Sequence, residues 1–194
     1  MALPPLPDEA IVLGSLAPDW RSAVAVAGAA LTASGAARPG YSDEMIRMID
    51  EHGPYVVIAP GLALAHARPD DQVISDGLAV VTLASPVSFG HPHNDPVRVI
   101  VGLAVESVGG HLDLIADIAN VFNDQSRIGA LADATRADDV RAIMGVGAGS
   151  GSGSSAGSSS SAGGSASGSS SGGSASGSPS DDSAAGSLSS EGGS

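Results

Sequence analysis

Five histidines, His52, His66, His91, His93 and His111, carry most of the neutral-pH chemistry open to this chain. It has no cysteine and no lysine, which removes thiolate and amine nucleophiles, thiolate metal sites and disulfides. An imidazole can act near pH 7 as nucleophile or as proton carrier. His66 closes the apolar run "LALAH", with Arg68 two residues on. A strand end fixes the direction of a ring, which phosphoryl or acyl transfer requires. The plainer alternative is a surface histidine that merely ends a strand. His111 follows Gly109-Gly110, where a helix is expected to open. N–H groups at a helix start attract anions and disfavour a protonated ring, so a neutral histidine beside an anion fits there. It can equally be a polar first-turn residue without a role.

His91 and His93 lie in "SFGHPHNDPV". His-x-His can hold part of a metal site, but no further ligand stands at a familiar spacing, so a solvent-facing loop is the expectation and no metal is assigned. His52 falls at a helix end, where a cation is favoured. Arg47 and Arg68 present donor forks suited to phosphate oxygens, and Arg68, next to His66, is the stronger candidate. The chain has no Gly-x-Gly-x-x-Gly, P-loop or Gly-x-Ser-x-Gly pattern. No nucleotide or other cofactor is therefore expected.

These residues need elements to hold them. A short strand is expected at Ile11 to Gly14. "PDWRSAVAVAGAALTASG" predicts a helix with Asp19 as N-cap and Gly35 as stop. "YSDEMIRMIDEHG" predicts a second, capped by Ser42 and ended by Gly53, with Met45, Ile46 and Ile49 as its apolar stripe. "YVVIA" and "LALAH" read as strands parted by the turn Pro60-Gly61. Asp76-Gly77 between apolar runs predicts a hairpin. "VRVIVGLAVE" is a buried strand. "GGHLDLIADIANVFND" returns to helix, with Leu112, Ile115, Ala119 and Phe122 expected on one face. Thr135 and Asp138 suggest a cap for a last helix. The order gives an α/β (α+β) class: one domain, a mixed sheet flanked by helices on both faces.

Composition divides the chain. Residues 1–145 have the size and apolar content of one domain, whereas 146–194 are almost all Gly, Ser and Ala. Such a tail cannot bury enough apolar surface to offset its chain entropy and is expected to be disordered. Eight Arg against 21 Asp and Glu give a formal net charge of −13. This excludes a basic patch for nucleic acid or anionic membrane. The N-terminus lacks a basic region followed by a long apolar core, and no run has the length of a membrane span. No membrane insertion is expected, and the expected location is cytoplasmic.

Taken together, "GPYVVIAPGLALAHARP", "FGHPHNDPVRVIVGLAV" and "GGHLDLIADIANVF" resemble the enzyme IIA proteins of the bacterial phosphotransferase system. The resemblance is to the mannitol/fructose-type superfamily, and closest to its ascorbate branch. It implies that His66 accepts phosphate from the histidine-containing phosphocarrier protein and that His111 assists. The phosphate would then pass to a cysteine of the cognate enzyme IIB, which serves a membrane IIC component. It also implies that Asn94 lies near the site, where Asn94 and Arg68 would steady the phosphate. The family usually carries proline immediately before the active histidine, and this chain carries Ala65. Three alternatives stay open on sequence alone: a regulatory protein of the same fold that signals by its phosphorylation state, a His-rich metal-binding module, and a scaffold whose site has decayed.

Overall fold

The computed structural model describes residues 3–149. The expected tail falls almost wholly in 150–194, outside the described residues. In the described part, a 3-10 turn at Asp8–Ala10 leads into β1 (Ile11–Ser15), α1 (Trp20–Ala33), α2 (Tyr41–His52), β2 (Val57–Ala59) and β3 (Leu62–His66). Then come β4 (Gly77–Val87), β5 (Val97–Ala104), α3 (Val108–Val121), α4 (Ser126–Ala132) and α5 (Ala137–Met144). The five strands form one open mixed sheet in the order β1-β4-β5-β3-β2. This is the α/β class expected, with helices flanking the sheet.

Topology places the ends of the strands. β3 and β5 are parallel, pairing from Leu62 with Val99 to His66 with Leu103. β4 runs antiparallel to β5, so its first residue, Gly77, meets Ala104 at the last rung. The C-terminal ends of β3 and β5 and the start of α3 therefore share one end of the sheet. The core is built of Val, Leu and Ile from the central strands, with small residues where α1 packs. A Cβ added at Gly102 would come within 3.4 Å of Ala27 and Leu31 of α1.

Helix α1 begins and ends as the sequence indicates. The Asp19 side chain accepts the N–H of Ser22 at 2.8 Å, and Gly35 follows the helix at φ 81°, a left-handed value suited to glycine. Other expectations are corrected. Ser42 does not cap α2, which starts one residue earlier, after Gly40, with no side-chain cap. Ser42 instead lies against Gly28 of α1, where a Cβ added to that glycine would stand 2.1 Å from its hydroxyl. Asp76-Gly77 makes no hairpin. The Asp76 carboxylate accepts the N–H of Glu106 at 2.9 Å, and Gly77 opens β4 beside Ala36 with no room for a side chain. The tight antiparallel pair is β2–β3, turning at Pro60-Gly61. In α3 the buried stripe is Leu114, Ile118 and Phe122, while Leu112 is 68% exposed. Thr135 does not cap α5, whose N-cap residue is Arg136 with no side-chain bond, and Asp138 pairs with Arg141 instead.

The last described residues are tied back to the domain. The Val146 N–H donates to the Arg141 carbonyl, and the Leu6 N–H donates to the Gly147 carbonyl.

Candidate active site

His66 is the last residue of β3, half-buried, and on the same face as Leu62 and Leu64 by strand alternation. Its Nδ1 lies 2.9 Å from the Leu64 carbonyl oxygen. A carbonyl only accepts, so Nδ1 carries the hydrogen in this geometry and Nε2 is the basic nitrogen of the neutral ring. Ala65, where the resemblance expects proline, is fully buried and pairs with Gly102 as an ordinary rung of the ladder.

Two tyrosines surround this strand end. Tyr55 stands edge-on to the His66 ring, centroids 5.5 Å apart at 88°, and its hydroxyl donates to the His66 carbonyl at 3.3 Å. Burial pushes the Tyr55 phenol up, and the charge of Arg68 acts against that rise. Arg68 itself is exposed, just past the strand. Tyr41, the first residue of α2, is completely buried. Its hydroxyl donates to the Leu103 carbonyl at 2.7 Å and accepts the Ala67 N–H at 3.1 Å. Burial pushes this phenol up to about 12, although the Ala67 N–H works against the rise. Neither tyrosine stands out in the sequence. A scarce aromatic with a hydroxyl is the signal available, because a buried phenol finds a partner. Its partners lie too far along the chain to be read off.

The helix α3 starts five residues after Leu103, the strand partner of His66. Its cap is Ser107, whose hydroxyl accepts the Gly110 N–H at 3.1 Å. The helix therefore opens at Val108 rather than after the glycine pair, because a serine side chain satisfies an N–H that glycine cannot. His111 is thus the fourth helical residue, in the first turn, at the same end of the sheet as His66. First-turn N–H groups there have no carbonyl partner within the helix.

The remaining candidates go elsewhere. Because β5 runs parallel to β3, the loop entering β5 lies at the start of β3, opposite His66. Asn94 belongs to that loop: its side-chain amide donates to the Val57 carbonyl at 3.1 Å, and its own carbonyl accepts the Gly61 N–H. Gly61 precedes His66 by five residues, roughly 16 Å of strand. The Asn94 amide thus meets β2 at Val57, opposite Ala63, which stands three residues before His66. The same loop closes on Asp95, which accepts from the N–H groups of Phe89, Gly90 and His91 and the Ser88 hydroxyl. Burial raises its carboxyl, but these donors outweigh that and hold it below the ordinary value. His91 Nδ1 accepts the N–H of Asn94 at 3.0 Å, so this ring organises the loop. Among the described residues no three His, Asp or Glu side chains are grouped to hold a metal ion. Arg47 is engaged by Glu44 and Glu51 along α2, and His52 sits at the end of that helix with its ring 6.2 Å from Tyr55. No helix among the described residues is long and apolar enough to cross a membrane.

The chain is similar in sequence and fold to known proteins. The ascorbate-specific PTS system EIIA component of Shigella boydii is 35% identical over 125 residues, covering 64% of this chain and 81% of that protein. Its counterpart from Salmonella typhimurium is 34% identical over 134 residues, 69% of this chain and 87% of the other. The Escherichia coli mannitol enzyme IIA, solved in complex with phosphorylated enzyme IIB, superposes with a TM-score of 0.64 at 25% identity, covering 72% of this chain and 96% of its own. The family model for the phosphoenolpyruvate-dependent sugar phosphotransferase system, EIIA 2, matches residues 5–145, essentially the whole folded region, and the chain belongs to that family.

Proposed function

We propose that His66 accepts a phosphoryl group from the histidine phosphocarrier protein and passes it to a cysteine of an enzyme IIB, in a system that takes up ascorbate or a related sugar. The ring geometry carries this reading. A histidine held by Nδ1 on a backbone carbonyl, at the half-buried end of a buried strand, keeps Nε2 as its basic, nucleophilic nitrogen.

In the first step the Nε2 lone pair attacks phosphorus in line. The P–N bond to the donor histidine breaks, and its electron pair stays on the donor nitrogen. In the second, a IIB thiolate attacks the same phosphorus, and the pair of the P–Nε2 bond returns to His66. Neither step requires a proton to leave Nδ1, so the Leu64 contact is kept throughout. The equatorial oxygens need only positive charge and donors. His111 and the first-turn N–H groups of α3 would supply these, with Arg68 beside them. The ascorbate assignment is supported by the names of the relatives.

Charging the protein with labelled phosphocarrier protein and chasing with an ascorbate-type IIB tests the relay. The label is expected to leave only when IIB carries its cysteine, and nitrogen–phosphorus coupling should place it on Nε2. A label that stays put with a competent IIB would contradict carrier function and favour a regulatory role. A label on Nδ1 would contradict the ring geometry.

A further inference from the structure

The His66 carbonyl and the Ala67 N–H belong to one peptide group, and each end of it is held by a phenol. Tyr55 donates to the oxygen at 3.3 Å, and Tyr41 accepts from the nitrogen at 3.1 Å. They are the two tyrosines of the whole chain. Both come from one stretch: Tyr41 opens α2, and Tyr55 follows three residues after that helix ends.

The need for such a clamp follows from the sheet. The β3–β5 ladder ends at the His66–Leu103 pair. Ala67 is 4% exposed, yet it lies beyond the last rung. A buried N–H without a partner is costly, so this peptide would turn toward water unless another acceptor met it. The Tyr41 hydroxyl is that acceptor. It closes the circuit by donating to Leu103, directly across from His66. Fixing the peptide plane fixes ψ of His66, which restricts the side-chain rotamers open to the ring while Nδ1 stays on Leu64.

We propose that Tyr41 and Tyr55 are positioning residues for phosphoryl transfer. Together they lock the His66–Ala67 peptide and so hold the imidazole in one tautomer and one direction. The proposal rests on His66 being the phosphoryl acceptor. Neither tyrosine touches the phosphate; each acts through the histidine.

The test uses Tyr41→Phe, Tyr55→Phe and the double variant in the full chain. Met48→Ala, a buried change on the same helix without a hydroxyl, is the control. Two quantities are read at a temperature where all are folded: the rate of phosphate acceptance, and the ring-nitrogen chemical shifts of unphosphorylated His66. Each tyrosine variant is expected to lose about tenfold or more in rate, since small misplacements at a transfer site are expensive. Its ring shifts should move from the Nδ1–H tautomer toward an average of both. The double variant should fall short of the product of the singles, because both act on one peptide. Met48→Ala should lower stability and leave the ring shifts and the rate in place.

Tyrosine variants with wild-type rate and unmoved ring shifts would overturn the proposal, as would the same ring-shift change in Met48→Ala. If Tyr41→Phe does not fold, Tyr55→Phe carries the rate test. Exchange of the Ala67 amide in wild type then tests Tyr41: protection matching the core strands supports the clamp, and fast exchange overturns it. If wild type takes no phosphate, the His66 assignment fails while the ring shifts still decide whether the tyrosines hold the tautomer.

Discussion

Tyr41 makes a statement about pH as well as geometry. Its phenol has an ordinary value of 10.0 and is raised to about 12 in the fold. Between these values the unfolded chain gives up the proton and the folded one keeps it. Stability contributed by this group is whole below pH 10 and is lost as the pH rises toward 12. The loss is about 3 kcal/mol. Urea midpoints measured across that window should fall more steeply in wild type than in Tyr41→Phe, which keeps only the smaller contribution of Tyr55; an equal fall in both would contradict the assignment. Sequence shows the histidine but not its holders. His66 is visible because an apolar run stops at an imidazole. Its clamp is not, because the three bonds span 11, 26 and 62 residues. The glycine pair points to a helix start near His111, and Ser107 caps that helix so that it begins at Val108, three residues earlier than His111. The position of the Asn94 loop is not legible in sequence, because which end of a strand a loop occupies depends on β5 running parallel to β3.

At the level of elements, local signals held where the partner is local and failed where tertiary contact decides. Asp19 captures an N–H three residues away, and Gly35 takes a left-handed turn, so both ends of α1 were legible. Asp76-Gly77 carries a hairpin signature, but Gly77 is needed for its lack of a side chain: a Cβ there would stand 2.2 Å from that of Ala36. Ser42 likewise serves packing instead of capping. The approach of α2 to α1 runs over Gly28, so Gly28→Ala gives a clear expectation. Alanine gains about 1 kcal/mol of helix propensity, yet its methyl group would collide with Ser42 and Met45. Crowding of this kind costs about 1–3 kcal/mol, and since the collision is with two side chains a net loss is expected. Thermal unfolding of Gly28→Ala beside Gly28→Ala/Ser42→Gly checks it. The second change should restore stability, and no restoration would place the cost elsewhere. Because Tyr41 is next to Ser42, the single variant should also slow phosphate acceptance.

Across the whole molecule, the first and last described segments are clasped by one side chain. Arg141 is 9% exposed; it donates to the buried Leu6 carbonyl at 2.8 Å and is paired with Asp8 and Asp138. The two acids are largely exposed, so the ion pairs add little. The bond to the buried carbonyl matters more, and Arg141→Met should cost about 2 kcal/mol. Asp8→Asn should stay within about 0.5 kcal/mol, and equilibrium denaturation of the pair separates the two contributions. A larger loss from Asp8→Asn would mean that the ion pair governs the clasp. The sequence marked residues 1–145 as a domain from composition alone. It did not show that Leu6 and Gly147 are bonded, since that pairing spans the chain. The proposed role of His66 is tested most directly by intact mass. Wild type, His66→Ala and His111→Ala would each be incubated with phosphoenolpyruvate, enzyme I and the phosphocarrier protein. The expected result is one acid-labile phosphoryl group on wild type, none on His66→Ala, and a slower gain on His111→Ala. A phosphoryl group that persists on His66→Ala, or none on wild type with a donor shown to be charged, would contradict the assignment of His66.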